Sequence, residues 1–225
     1  MVTTRSIILY VTLVVLASCN ATRVIKPLEK GEKHLCAGIG GPGIKYGGAP
    51  IPIPLTSLNY AHGIDSNVTL AIGLHTTSIA FGVLQTDISA GIRAFQNKTD
   101  RFGITAAPGL HLLYDFYENN FRSYPQLDAL TWLQYSENKK HLIYGGVGTW
   151  IELFKKKAHG QTQSNELMPW ITLGHQFNLD RWSYMTEFKY LGFQHESAPS
   201  VVDFVSPAGR GIIGFYFGVS RRFGK

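Results

Sequence analysis

Hydrophobic and polar positions alternate along most of the chain with a period of two residues. In the last such segment, 211–223, Phe215 and Phe217 fall on one face, while Tyr216 falls on the other. Successive side chains of a β-strand point to opposite faces of the sheet, so this pattern predicts a strand. The same alternation recurs in three further segments, 124–136, 141–154 and 181–193. The sequence therefore predicts an all-β fold.

The predicted connections between these strands alternate between long and short. Counted back from the C-terminus, the long ones are 194–210, 155–166 and 117–125, and the short ones are 178–181, 137–140 and 97–101. Barrels of the bacterial outer membrane have tight turns on the periplasmic side and longer loops outside. A soluble sandwich has no reason to collect its tight turns at one end. The loop lengths therefore favour a transmembrane barrel.

Four more strands are predicted towards the N-terminus, at 34–46, 53–63, 67–76 and 82–96. The fold class is then a transmembrane, antiparallel, up-and-down β-barrel of about ten strands, which occupies 34–225. An even number of strands places both ends of the barrel chain on the periplasmic side. The segment 34–46 decides this topology, because the number becomes odd without it.

The alternation also assigns side chains to the two faces of the barrel wall. We expect Ile151, Phe188 and Phe217 to contact acyl chains, and Glu152, Glu187 and Ser220 to face the lumen. An isolated buried charge is very costly, so inward charged groups must pair or contact water. A polar lumen filled by its own side chains is the main expectation, and a narrow conduit or small-ligand cavity is the alternative. Other predicted inward positions are His75, Asp87, Arg93, His111, Asp115, Asp128, Lys189 and Arg222.

The first residues have the layout of a secretory signal. Arg5 precedes an uncharged apolar run, and the small residues Ala17 and Ser18 follow it. The run is about half of what a helix needs to cross a bilayer, so we expect removal of 1–18 rather than a membrane helix. Leu16-Ala17-Ser18-Cys19 resembles the lipobox of bacterial lipoproteins. The resemblance implies that Cys19 is acylated, with palmitate-type chains, and becomes the mature N-terminus.

Residues 19–33 are polar and contain Pro27 and Gly31, which is typical of a tether. We interpret them as a lipidated periplasmic tether ahead of the barrel. With Cys19 acylated, only Cys36 remains, and a single thiol cannot form an internal disulfide.

Charge and composition narrow the choice of partners. The formal net charge is +6, but only 16% of the residues are charged, and the basic residues form no long block. This distribution argues against nucleic acid as a partner. For an envelope protein, it favours contact with membrane lipids and lipopolysaccharide.

The C-terminal segment 211–223 resembles the closing strand of outer-membrane β-barrels. Phe223 takes the place of their near-terminal aromatic residue, although Gly224 and Lys225 follow it here. The resemblance implies an outer-membrane location, with the N-terminus anchored through Cys19 on the periplasmic side. It covers the architecture from about residue 34 onward and implies no activity.

One short motif suggests an enzyme. The segment FQHES, 193–197, resembles the His-x-Ser element of outer-membrane lipid A deacylases, in which a serine attacks an ester and histidine acts as its base. His195 and Ser197 would take these roles, with Asp203 as the orienting acid. The asparagine that follows the serine in that family is Ala198 here.

No spacing in the sequence predicts a metal or a cofactor. The eight histidines are dispersed, so we expect them in surface or lumen positions, with no cofactor and no metal. The resulting prediction is an outer-membrane lipoprotein without enzymatic activity, with a structural or accessory role, as a subunit of a larger envelope complex. The alternatives are a small-solute or ion conduit and a lipid A ester hydrolase that uses His195 and Ser197.

Overall fold

A computed structural model describes residues 24–156, 166–197 and 203–224, which form a closed antiparallel β-barrel. The predicted signal peptide, 1–18, and Cys19 lie outside the described residues. No helix in the described ranges is long and apolar enough to cross a membrane.

The described chain contains eleven strands and one short helix. The strands are β1 Lys33–Tyr46, β2 Ala49–Pro52, β3 Leu55–Gly63, β4 Val68–His75, β5 Val83–Gln96, β6 Phe102–Asp115, β7 Asn120–Gln134, β8 His141–Ile151, β9 Leu167–Asn178, β10 Trp182–Glu196 and β11 Arg210–Phe223. The helix α1, Thr76–Ala80, connects β4 to β5, and a 3₁₀ turn, Pro207–Gly209, precedes β11.

The barrel closes where β1 pairs with β11. Each strand pairs with the next in sequence, except that β1 pairs with β3, and β2 is a short arm that pairs only with the far end of β1. The wall therefore has ten strands, and the predicted strand at 34–46 is confirmed as β1. Lys33 lies opposite Phe223, so both ends of the barrel chain lie together. We call this the termini end and the opposite one the loop end.

The connections differ in length between the two ends, as predicted, with one exception. The long loop expected at 117–125 is wrong, because β7 already begins at Asn120. The carboxylate of Asp115 accepts the N–H groups of Tyr117 and Glu118, at 2.8 and 3.2 Å, and thereby forms a tight turn. Asn119 adopts a positive φ of 49°, which asparagine tolerates better than most residues. Residues 120–125, which were predicted as part of a loop, thus form the start of β7.

The two faces of the wall follow the predicted alternation. Large apolar side chains are exposed on the outside, among them Val147 at 58% and Phe217 at 43%. Inward positions of the same sheet are nearly inaccessible, as Tyr144 at 2% and Glu187 at 3% demonstrate. Such an apolar outer face around a closed sheet is the pattern of a transmembrane barrel. Contact between these apolar side chains and water is unfavourable, whereas contact with lipid acyl chains is not.

Inward glycines make room for the aromatic residues that fill the lumen. A Cβ atom at Gly148 would lie 2.0 Å from Asp128 Oδ1, and one at Gly174 would lie 2.2 Å from the ring of Tyr144. Neither distance is compatible with van der Waals packing. The glycines on β8 and β9 therefore leave space in the lumen for side chains of the neighbouring strands.

Candidate functional site

The N-terminal residues 24–28 enter the termini end of the lumen, and residues 29–32 connect them to β1 at its rim; we call 24–32 the plug segment. Val24 and Ile25 are buried, and the Ile25 side chain packs with Trp132. The hydroxyl of Thr105 donates to the Ile25 carbonyl at 2.7 Å, and the Leu28 N–H donates to Thr69 Oγ1 at 2.7 Å. Residues 19–33 are predicted as a tether, but residues 24–28 lie inside the barrel mouth.

An ion pair holds the plug segment against the wall. Lys26 Nζ lies 2.8 Å from Asp100 Oδ2, donates to Gln134 Oε1 at 3.2 Å and sits 5.1 Å from the centre of the Trp132 ring. Burial of the Asp100 carboxyl raises its pKa, but the hydrogen bond and charge of Lys26 outweigh this, so the pKa lies below its usual value. Lys26 therefore stabilises an ionised Asp100 at neutral pH.

Glu32 forms a second electrostatic contact at the same end. Its carboxylate lies 3.0 Å from His34 Nε2 and 3.6 Å from the Arg222 guanidinium. The hydrogen bond to His34 lowers the pKa of Glu32, and this effect exceeds the opposing effect of burial. Arg222, which the sequence places on the inward face, thus contacts the end of the plug segment.

The middle of the lumen contains a buried ion pair. Lys189 Nζ lies 3.3 Å from Glu187 Oε1, and the hydroxyl of Tyr144 donates to Glu187 Oε2 at 2.8 Å. The Lys189 ammonium also lies 5.9 Å from the Trp170 ring and 5.5 Å from the Tyr216 ring. The charged pair predicted for the lumen is confirmed, and aromatic rings surround its cation.

A hydrogen-bonded chain continues towards the loop end. Trp170 Nε1 donates to Asp128 at 3.0 Å, and the amide of Gln126 donates to the same carboxylate. Trp150 Nε1 donates to Gln126 Oε1 at 2.9 Å, and His111 Nε2 lies 2.5 Å from that oxygen. The indole group can only donate, so Gln126 Oε1 is an acceptor and the His111 Nε2 position carries the proton.

Three buried side chains from neighbouring strands meet next to this chain. His75 Nε2 lies 2.9 Å from Asp87 Oδ2, and one ligand atom from each of His75, Asp87 and His111 lies within 4.8 Å of the others. All three residues are less than 10% exposed. We call them the lumen triad. Two imidazoles and one carboxylate form a donor set that suits a transition metal.

A cavity of about 70 Å³ lies near the wall at the termini end, bordered by His34, Cys36, Ser220 and the plug segment. The Lys189–Glu187 and Lys26–Asp100 pairs and the hydrogen-bonded chain around Asp128 thus occupy much of the described lumen.

Two of the remaining predicted inward groups lie near the loop end, and one lies near the termini end. Asp115 stabilises the tight turn described above, and Glu152 accepts the N–H of Phe154 at 2.9 Å. Arg93, close to the termini end, is half-buried.

The three residues of the hydrolase alternative contact other groups. The hydroxyl of Ser197 donates to the Gly211 carbonyl at 2.6 Å, and His195 Nε2 lies 3.0 Å from the Leu167 carbonyl oxygen. Asp203 lies 3.3 Å from Lys45 Nζ. Ala198, which follows the serine, lies outside the described residues. These contacts give each residue a role in joining segments at the loop end.

Sequence reasoning missed both the plug segment and the lumen triad. The apolar pair Val24 and Ile25 within a polar run was the available signal for the plug segment. No linear spacing signals the triad, because its members come from three strands and meet only through pairing.

The fold and the filled lumen define the class of protein. The chain is a closed, ten-stranded, antiparallel barrel of the transmembrane type, with an apolar exterior and a packed polar interior.

Comparison with known proteins found no matching family model and no matching curated protein. Among solved structures, the translocator domain of the autotransporter NalP from Neisseria meningitidis is 12% identical, with a TM-score of 0.48 over 88% of this chain and 91% of that one. An outer membrane channel from Pseudomonas putida F1 is 9% identical, with a TM-score of 0.48 over 91% and 100%. The outer membrane protein OprG from Pseudomonas aeruginosa is 12% identical, with a TM-score of 0.33 over 89% and 100%.

Proposed function

We propose that the protein is an outer-membrane lipoprotein whose barrel is a non-conducting, structural or accessory component of the envelope, without enzymatic activity. The packed lumen carries this proposal. Trp132 and Tyr144 lie inside the barrel and are only 1% and 2% exposed. The plug segment occupies the termini end, so we expect no continuous aqueous path for a solute through the described part of the barrel.

The position of the plug segment is compatible with a lipid anchor at Cys19. Val24 lies in the barrel mouth, five positions after Cys19. Five extended residues reach at most about 18 Å. This length allows an acylated Cys19 to enter the leaflet that surrounds the termini end, which is then the periplasmic side. The lipids around the apolar belt, with lipopolysaccharide at the loop end, are the proposed immediate partners, and a protein partner of the envelope would bind the same barrel.

Reconstitution into planar bilayers tests the absence of conduction. The purified protein should produce no conductance steps, because side chains and the plug segment fill its lumen. A conducting outer-membrane porin, reconstituted under the same conditions, is the positive control and should produce conductance steps. Stepwise conductance by the wild-type barrel would instead support the conduit alternative.

Lipidation is tested by the intact mass of the membrane-extracted protein. We expect a chain that begins at Cys19 and carries added acyl mass, and we expect Cys19→Ala to block this processing. Cys36→Ala is the matched control, because it removes the other thiol and should leave the acylated mass unchanged apart from the substitution. A mature N-terminus elsewhere, without lipid, would contradict the anchor.

The hydrolase alternative receives less support from the contacts at the loop end. Ser197 Oγ donates to a backbone carbonyl, and Asp203 lies next to a lysine instead of orienting an imidazole. A lipid A substrate would also have to approach these groups from the membrane side.

A further inference from the structure

The lumen triad is built on rigid, paired strands. Asp87 on β5 lies directly opposite His111 on β6, and Gly73 on β4 lies opposite Asp87 on its other side. His75 follows Gly73 by two residues and so shares its inward face. Because Gly73 has no side chain, nothing at that position separates His75 from Asp87. The sheet register itself therefore brings the three donors together.

The hydrogen bonds around His111 select its tautomer. The Nε2–H group donates to Gln126 Oε1, because that oxygen already accepts the indole N–H of Trp150. In the neutral ring, Nδ1 then carries the lone pair. Metal-binding histidines typically donate their other ring N–H to an oxygen acceptor in this way, which fixes the ring and raises its basicity. Gln126 is thus in the position of an outer-shell partner.

We propose that His75, Asp87 and His111 bind one zinc-class divalent transition-metal ion in the loop-end half of the lumen, with a fourth coordination position left for another ligand. Zinc lies about 2.0 to 2.1 Å from nitrogen and carboxylate donors, which places tetrahedral donors about 3.4 Å apart. His75 Nε2 and Asp87 Oδ2 are already 2.9 Å apart. The donors lie within 4.8 Å, so they need to approach by at most about 1.4 Å.

The donor set argues against other classes of cation. Calcium and magnesium prefer six or more oxygen ligands, whereas two of the three donors here are imidazole nitrogens. Sites with three protein ligands and one open position are typical of zinc that binds a water or another small ligand. An ion at this point would connect β4, β5 and β6 beneath α1.

A second pair of histidines must be separated from the triad in any test. His141 Nδ1 lies 3.3 Å from His175 Nε2, and the hydroxyl of Tyr135 lies 3.1 Å from the same nitrogen. Both histidines are partly exposed on the wall near the termini end. This pair could bind metal weakly, and it therefore supplies the matched control.

The test uses the full mature protein, purified without a histidine tag and refolded from urea into detergent with either EDTA or zinc chloride. After removal of free metal, we expect one zinc per chain in the wild type and in the His141→Ala, His175→Ala control. We expect at least a tenfold weaker binding in Asp87→Asn and His111→Gln. Zinc content below one-tenth per chain in the folded wild type, or equal binding by the triad variants, would overturn the proposal.

Cobalt(II) keeps the test decisive if a triad variant fails to fold. In the wild type, cobalt at the triad should give the intense visible absorption of a four-coordinate site with nitrogen ligands, and added zinc should abolish it. The weak absorption of the hydrated ion alone, or a spectrum lost in the His141→Ala, His175→Ala control, would contradict the assignment.

Discussion

Replacing Lys189 by methionine should destabilise the folded barrel by about 3 to 5 kcal/mol, because it removes the cation from a buried ion pair. The Glu187 side chain is 0% exposed, and the Lys189 side chain is 10% exposed. Methionine fills a similar volume but leaves the Glu187 carboxylate with the hydroxyl of Tyr144 and without its ammonium partner. The measurement is the urea midpoint of unfolding in detergent or in lipid vesicles.

The double variant Glu187→Gln, Lys189→Met separates charge from packing. It removes both charges, keeps the side-chain volumes and retains a carbonyl oxygen for the hydroxyl of Tyr144. Replacing both members of a buried pair is often neutral, so we expect the double variant to be more stable than Lys189→Met alone. A single variant with the wild-type midpoint, or a double variant as unstable as the sum of two damaging changes, would contradict the role assigned to this pair.

The strands were predictable from the sequence because each depends on a local pattern. Period-two alternation assigned Tyr216 to the lumen and Phe217 to the exterior without any knowledge of pairing partners, and the structure confirms both. The strand β1 was also predictable, because closure of an up-and-down barrel with both ends on one side needs an even number of strands.

Features that depend on contacts between distant residues were not predictable in this way. The polar composition of 19–33 favours a tether, but Ile25 packs against Trp132, more than a hundred positions away. The turn at 116–119 was missed because aromatic residues around Phe121 look similar in a loop and at a strand end. The lumen triad was not predictable, because the spacing of His75, Asp87 and His111 along the chain matches no metal-binding motif. The three residues meet only through the register of the sheet.

The two faces of the barrel wall place different requirements on their side chains. The exterior needs only apolar side chains, so its residues are interchangeable in chemistry and their pattern is repetitive. The interior needs particular donors and acceptors, since each buried polar group must find a partner. Function is therefore expected to depend on inward positions such as His111 and Lys189, whereas membrane insertion depends on the outer belt.

Phe217→Arg should destabilise the membrane-inserted barrel by about 2 to 4 kcal/mol, the cost of a basic side chain on the lipid face near the bilayer midplane. Phe217 is 43% exposed and lies opposite Ile39 across the β1–β11 closure. Arg221, on the same outer face, already lies 5.4 Å from the Trp182 ring, as expected at a membrane interface. Four residues span about 13 Å of strand, or about 10 Å of depth at the usual tilt, which places position 217 close to the midplane.

Ser220→Arg is the matched control, because it introduces the same side chain three residues away on the inward face of β11. Ser220 borders the cavity of about 70 Å³, which offers part of the space that the new side chain needs. We therefore expect Phe217→Arg to lower the urea midpoint of unfolding in lipid vesicles more than Ser220→Arg does. The reverse order, or a delipidated protein that stays soluble without detergent, would mean that the apolar belt covers something other than lipid. Both variants add one positive charge to the same strand, so the comparison tests which face of β11 contacts lipid.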